Sequence, residues 1–154
     1  MDAFKTFEPA LRRGEIAVQE GDVHPDILVH FDRPNGESRF TYVKVSGGSV
    51  TAMAIIIPAE SLKGTPVFQI GYAVAQHLRK RGVGKAITRA AVDEFTAGMA
   101  RNGVKSFFLE AIVGVNNIGS QKVAAAIIGG PTKEVSDENS GEAALQYMKE
   151  IRSD

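Results

Sequence analysis

The sequence predicts an α/β (α+β) fold in which a mixed, mostly antiparallel central sheet is flanked by helices. In the first half of the chain, strand-like segments separated by Gly-containing turns indicate an antiparallel meander. A strand, helix, strand, helix order follows, which is typical of parallel pairing across a crossover connection. A last alternating segment closes the sheet, so strands and helices are expected to share one core.

The size and charge of the chain narrow its class. Its 154 residues favour a single domain over residues 1–154. Lys plus Arg and Asp plus Glu both number 18, and this zero net charge disfavours a protein that coats nucleic acid. The absence of cysteine excludes disulfides and thiolate metal ligands. No apolar segment has the length of a membrane span, and the start lacks the order of a secretion signal. We therefore expect a cytoplasmic protein with no metal site and with neither nucleic acid nor membrane as a partner.

The first half of the chain predicts three strands in a meander. Residues 1–25 are poorly defined, with a short helix that Gly14 interrupts. Strands are expected at 26–32, 38–45 and 49–57, because these segments alternate or carry dense apolar runs between Gly-containing turns. The segment 58–66 has a proline at each end and predicts a loop.

The second half of the chain predicts the crossover. Strands are expected at 67–74 and 104–113, with a helix between them and a second helix from near Asn117. Five apolar residues recur every four positions and mark one face of the first helix, namely Val83, Ile87, Ala91, Phe95 and Met99. Segment 142–151 fits a helix or a strand, and its alternation favours a final strand.

Residues 77–87, "HLRKRGVGKAI", place cations directly before Gly-Val-Gly at the strand-to-helix junction. Gly82 and Gly84 allow a close approach of the backbone to a ligand. The unpaired N–H groups and partial positive charge of a helix start favour an anion there. Cations oppose that partial charge, so a ligand explains the stretch better than a solvated turn does. The sequence therefore predicts a diphosphate site.

Two common phosphate motifs fail here. A P-loop fails because Ala86 follows Gly84-Lys85, and a dinucleotide fingerprint fails because Ile87 replaces its third glycine. The pattern Arg/Gln-x-x-Gly-x-Gly/Ala is matched in full by residues 79–84. With Asn117-x-x-Ser120 at the next helix, the stretch 68–126 resembles the core of the GCN5-related N-acetyltransferase (GNAT) superfamily.

The resemblance implies a GNAT-like fold with an acetyl-CoA-binding core at 67–129. It implies direct transfer of an acetyl group from acetyl-CoA to a primary amine, carried by a small molecule or a peptide. A homodimer is a further expectation from the family. The cofactor-binding residues that the resemblance implies are Tyr72, Val74, Arg79, Arg81, Gly82, Val83, Gly84, Lys85, Asn117 and Ser120.

The chain departs from the family pattern at catalytic positions. Gln69 stands where members often carry a glutamate base, and Ala124 stands where they often carry a tyrosine acid. The catalytic candidates are therefore Glu110, a carboxylate inside an apolar strand, and Tyr147, on the expected final strand. Glu110 serves as the base, lies in solvent, or pairs with a Lys or Arg. Tyr147 either reaches the thioester sulfur or packs on the sheet. A catalytically weak or inactive module that binds CoA or a related phosphorylated ligand stays the alternative to an N-acetyltransferase.

Overall fold

The computed structural model describes the backbone of residues 2–152 and the side chains of residues 5–152. Within this range the chain forms three α-helices and one sheet of eight strands. The helices are α1 (Asp2–Arg12), α2 (Val83–Arg101) and α3 (Ile118–Ile127). The strands are β1 (Gln19–Glu20), β2 (Ile27–Asp32), β3 (Arg39–Ser46), β4 (Ser49–Leu62), β5 (Thr65–Val74), β6 (Ser106–Gly114), β7 (Lys133–Ser136) and β8 (Ala143–Arg152).

The strand order in the sheet is β1-β2-β3-β4-β5-β6-β8-β7. Neighbouring strands pair antiparallel except β5 and β6, which are parallel and are joined through α2. This confirms the mixed, mostly antiparallel sheet with flanking helices and the strand at the end of the chain. The parallel pair lies near the middle of the sheet, where it creates the opening described below.

The predicted loop at 58–66 was wrong. Strand β4 continues to Leu62 and β5 begins at Thr65, so only Lys63 and Gly64 turn, both with positive φ (50° and 82°). Pro58 lies beyond Ile56, the last β4 residue paired to β3. Pro66 lies before the first residue of β5 that pairs with β6. Because a strand edge without a neighbour needs no N–H donor, both prolines fit inside strands.

The amino-terminal segment contains the short helix expected before Gly14 and, in addition, a short strand that was not expected. Helix α1 occupies residues 2–12 and ends before Gly14, whose φ of 69° turns the chain away. The two-residue strand β1 follows and pairs with β2. None of the described helices is both long and apolar enough to pass through a membrane.

Two apolar clusters hold the layers together. The larger lies between the sheet and α2 and α3, where Ile87, Ala91 and Phe95 of the predicted helix face are buried. The smaller lies on the other side of the sheet, where Phe7 and Leu11 of α1 pack on β3 and β4. Helix α1 therefore covers only one half of that side, and no described helix covers β5, β6 and β8 there.

Candidate functional site

Strands β5 and β6 separate part-way along their length. They pair only at Val67–Gln69 against Phe108–Glu110, although they continue to Val74 and Gly114. Beyond these three rungs β5 stays bonded to β4 on its other side. From residue 70 onwards its edge towards β6 has no paired strand, and we call it the free edge of β5, where an extended ligand can pair in the manner of an added strand.

The gap between the two strands is a cavity of about 210 Å³, closed by α3 and by Thr88 of α2. A larger groove of about 1120 Å³ runs outside it, along the loop before α2 and the start of α3. Four residues line both spaces, namely Tyr72, Asn117, Ser120 and Val123. Groove and cavity therefore adjoin at these four residues, on either side of the hydrogen bond between the Ser120 and Tyr72 hydroxyls.

The loop before α2 has the backbone geometry of an anion site. Lys80 and Gly82 both have positive φ (63° and 75°), and Gly82 caps the helix. The first main-chain bond of the helix runs from the Ala86 N–H to the Gly82 carbonyl (3.0 Å). The amides of 83–85 come before that bond and have no acceptor within the helix. They are available to an anion at the start of α2.

The two glycines of this loop have different reasons to be small. A Cβ at Gly82 would meet nothing within 4 Å, so its positive φ is what favours glycine. A Cβ at Gly84 would lie 2.5 Å from Cε2 of Tyr72. Sequence reasoning assigned both glycines to a ligand, whereas the structure gives Gly84 a packing reason.

A short chain of hydrogen bonds joins β5 to α3 across the groove. The hydroxyl of Ser120 donates to the hydroxyl oxygen of Tyr72 (3.2 Å). The amide of Ser120 donates to Oδ1 of Asn117 (3.1 Å), so Asn117 caps α3. The Asn-x-x-Ser motif thus positions the helix start beside the free edge of β5.

The charge along the groove is positive. Of the predicted cofactor-binding residues, all but Arg81 line the groove; Arg81 is exposed beside it. Among the described residues, no salt bridge involves the cations of 79–85. Arg79 reaches back, and its Nε donates to the carbonyl of Val74 at the end of β5 (3.4 Å). Because these cations have no acidic partner among the described residues, they favour an anionic ligand.

Glu110 lies at the last parallel rung, where the strands begin to separate. It is 8% exposed, and its carboxylate oxygens accept from Nε2 of Gln69 and Nε2 of Gln146, both at 2.7 Å. Its partners are therefore two side-chain amides, and neither the Lys or Arg partner nor the solvent exposure considered from the sequence is found. Gly71 and Ile112 lie two residues further on the same side of the sheet and line the cavity. A residue that lines the cavity, Ile112, therefore lies two strand residues from Glu110, about 7 Å between Cα atoms.

The family model for the Acetyltransferase (GNAT) family matches residues 6–129. The chain belongs to this family. The match covers both the crossover that sequence motifs pointed to and the meander before it. No curated protein matches the sequence.

Solved structures of GNAT enzymes share the fold. One is a ribosomal L7/L12 alpha-N-protein acetyltransferase in complex with coenzyme A, with a TM-score of 0.57 and 14% identity over 75% of this chain and 64% of that one. Another is the ribosomal-protein-S5-alanine acetyltransferase from Vibrio fischeri, with a TM-score of 0.55 and 16% identity over 78% of this chain and 64% of that one. A third is a GNAT acetyltransferase from Streptococcus pneumoniae, with a TM-score of 0.55 and 13% identity over 73% of this chain and 66% of that one. The chain thus spans slightly less than two thirds of these proteins.

Tyr147, the second catalytic candidate, lies in the core of the GNAT fold. It is 2% exposed and faces the helices, paired across the strands with Ala111. Ala111 lines the cavity, but the residues that line the cavity and groove do not include Tyr147. A catalytic role for Tyr147 stays a prediction.

Three residues of the site were not found from sequence. Gln146 was missed because its contact with Glu110 depends on the register of β8, and Gly71 because its exposure depends on the gap. Thr88 carried a weak signal, as a hydroxyl close to the apolar face of α2 one turn after Gly84. Within the described residues no group of three His, Asp or Glu side chains lies close enough to hold a metal ion.

Proposed function

We propose that this GNAT protein is an N-acetyltransferase that transfers an acetyl group from acetyl-CoA to a primary amine by direct attack. The observation that carries the proposal is the free edge of β5, which faces a cavity adjoining a cation-rich groove at the start of α2. Family membership supports the acyl transfer, and the complex of one solved relative with coenzyme A supports the ligand.

In this proposal the diphosphate of acetyl-CoA binds the amides of residues 83–85, with Arg79 and Lys85 beside it. The arm of acetyl-CoA then lies in the cavity along residues 70–74 of β5. Its thioester comes to the closed end of the gap, near the rung of Gln69 and Glu110. A main-chain amide of β5 polarises the thioester carbonyl.

The acceptor amine approaches from the side of the sheet that carries Glu110. Helix α1 leaves that side open over β5, β6 and β8, and Gly71 is exposed there with no atom within 4 Å of the place of a Cβ. Glu110 takes a proton from the attacking nitrogen while Gln69 and Gln146 hold its carboxylate in place. The new C–N bond forms and the C–S bond breaks, and the leaving thiolate takes up, by way of solvent, the proton that Glu110 removed from the nitrogen.

The acceptor is a primary amine of a small molecule or a peptide. The open floor beside Glu110 has no described helical wall, which leaves room for a chain end. Two of the solved relatives are named for ribosomal-protein acceptors, and this supports peptide amines as the first acceptors to test.

The alternative is a module with the GNAT fold that binds CoA without turnover. Gln69 favours it, because an amide is not a base, and Ala124 favours it, because a methyl group cannot protonate a thiolate. The two functions share the groove and differ only in chemistry at the closed end of the gap.

The test measures binding and turnover separately. Thermal unfolding is followed with acetyl-CoA, CoA, NAD and ATP, and a ligand at 100 times its Kd adds about 2.7 kcal/mol of stability. Stabilisation by the two CoA species alone is expected, and equal stabilisation by NAD or ATP would overturn a CoA site. CoA release is then measured over small amines and peptides. Binding without release over the whole panel selects the module.

Matched variants locate the site. Lys85→Gln, at the start of α2, is expected to weaken CoA binding about tenfold, since contacts between a cation and a phosphate are charge-assisted. Lys149→Gln, on the exposed part of β8, removes the same charge outside the groove and leaves binding unchanged. An equal loss in both variants would mean that the charge of the whole protein, rather than this loop, attracts the ligand.

A further inference from the structure

A buried hydroxyl lies without a partner at the cavity. Thr88 of α2 is 4% exposed, and its Oγ1 is the buried side-chain atom of the described residues that makes no hydrogen bond. A threonine inside a helix commonly bonds the carbonyl four residues earlier, but here Gly84 does not accept from it. Buried polar groups in proteins are nearly always paired, so this one needs an explanation.

The position of Thr88 in the cavity explains why its hydroxyl is unpaired. The walls are largely apolar, formed by Ile70, Ala111, Val113 and Ile127 among others. The other polar side chains that line the cavity are those of Tyr72, Asn117 and Ser120, which also line the outer groove. The hydroxyl of Ser120 donates to that of Tyr72, and Oδ1 of Asn117 accepts from the main-chain amide of Ser120. Thr88 is therefore the polar side chain that lines the cavity without also lining the outer groove.

We propose that the hydroxyl of Thr88 donates a hydrogen bond to a carbonyl oxygen in the arm of the bound acyl-CoA. The inference rests on the proposed function and adds a ligand contact on α2, outside the loop, β5 and α3. The arm is a chain of amides ending in a thioester, so it brings carbonyl acceptors into a space whose walls offer few donors. Binding satisfies the hydroxyl that is unpaired in the free protein.

Removing the hydroxyl therefore has opposite effects on the free and bound protein. In Thr88→Val, which keeps the side-chain shape, the free protein is expected to unfold at the same temperature or higher, because an unpaired buried group is lost. Affinity for CoA is expected to fall about fivefold to tenfold, the worth of one hydrogen bond. Thr88→Ser keeps the hydroxyl and retains the affinity for CoA within about twofold.

Two controls separate a ligand contact from a structural one. ADP carries the diphosphate without the arm, so Thr88→Val and wild type are expected to bind it equally. Thr51→Val removes a buried hydroxyl that donates to the carbonyl of Lys44 (3.2 Å) outside the cavity and groove. That variant is expected to unfold at a lower temperature and to bind CoA as wild type does.

The outcomes distinguish this inference from the proposed function. If wild type binds CoA and Thr88→Val binds it equally well, the contact is overturned and the proposed function stands. Equal losses for CoA and ADP, or a Thr88→Val protein that is less stable or unfolded, assign Thr88 a structural role and also overturn the contact. A wild type that binds no CoA overturns the proposed function and this inference with it. Calorimetric titration and thermal unfolding supply all of these readouts.

Discussion

Two buried carboxylates, Glu94 on α2 and Glu110 on β6, are held in different ways. They are 6% and 8% exposed, so burial does not separate them. Glu94 accepts from three main-chain amides, those of Asp22 and Val23 (2.9 Å each) and that of His24. Glu110 accepts from the side chains of Gln69 and Gln146.

The difference lies in what each set of donors allows. Three amides of one folded loop fix Glu94 and join residues 22–24 to α2, and Gly21 packs so closely that a Cβ there would be 2.4 Å from Oε2. Each oxygen of Glu110 has one flexible amide donor, and each can accept a second hydrogen bond. Main-chain donors thus suit a structural carboxylate, and side-chain donors at an opening suit a carboxylate that takes up a proton.

The largest expected effect tests the role of Glu110. Glu110→Gln keeps the volume and removes the proposed base, so kcat is expected to fall about 100-fold to 10,000-fold while CoA affinity is retained. The measurement is CoA release at saturating acetyl-CoA. Glu150→Gln, an exposed change on the same side of β8, is the control and leaves kcat unchanged. A Glu110→Gln protein with full activity would rule out Glu110 as the base and leave no functional difference between the two carboxylates.

The next effect is on stability. Glu94→Gln places an amide group against three main-chain donors, and the free energy of unfolding is expected to fall by about 2–3 kcal/mol. Activity of the folded fraction is retained. Asp93→Asn is the matched control, since Oδ2 of Asp93 makes a part-exposed contact with Nε2 of His24 (2.9 Å) that is worth less than about 1 kcal/mol. Urea unfolding of the two variants gives the comparison, and equal losses would contradict a special role of the amide donors.

Gly21 tests how tightly residues 22–24 pack against Glu94. Gly21→Ala drives a methyl group into Oε2 of Glu94 and the carbonyl of His24, and overpacking of this kind costs about 1–3 kcal/mol. Gly98→Ala on α2 is the control, because its Cβ would meet only Arg101 Nη2 at 3.6 Å and alanine favours a helix. Thermal unfolding should separate the two, and a neutral Gly21→Ala would mean that the loop yields easily.

The smallest effect concerns a third carboxylate, nearer the surface. Arg39 donates to both oxygens of Asp32 (2.9 and 2.6 Å), and these hydrogen bonds hold the pKa of Asp32 below its ordinary value of 3.8. The folded protein therefore binds this proton less readily than the unfolded chain does. The stabilisation is complete above the ordinary pKa and is lost as the pH falls through the lower, folded one.

Asp32→Asn should remove this pH dependence. At neutral pH the variant is expected to be less stable than wild type by no more than about 1 kcal/mol. The difference should begin to shrink as the pH falls below 3.8. Urea unfolding from neutral to acid pH gives both curves. A difference that stays constant across this range would mean that the pair acts through packing rather than charge.

Local physics explains most of what the sequence by itself determined. The order of strands and helices followed from apolar periodicity, and the loop before α2 followed from Gly82, whose positive φ is a property of one residue. The prediction of a loop at 58–66 was wrong, because a proline disrupts a strand only where a neighbouring strand needs its missing N–H donor. Pro58 lies where β4 no longer pairs with β3, and Pro66 lies where β5 does not yet pair with β6. No local sequence pattern reveals this.

Tertiary structure alone decided the chemistry of the site. Glu110 was predicted as a candidate, but its donors lie 41 and 36 residues away and reach it only through the register of β5, β6 and β8. Glu94 drew no attention in the sequence, and its loop is about 70 residues earlier. Sequence determines which residues can accept or donate a hydrogen bond. Strand register and helix packing determine which of them meet, because those depend on the whole sheet rather than on neighbours in the chain.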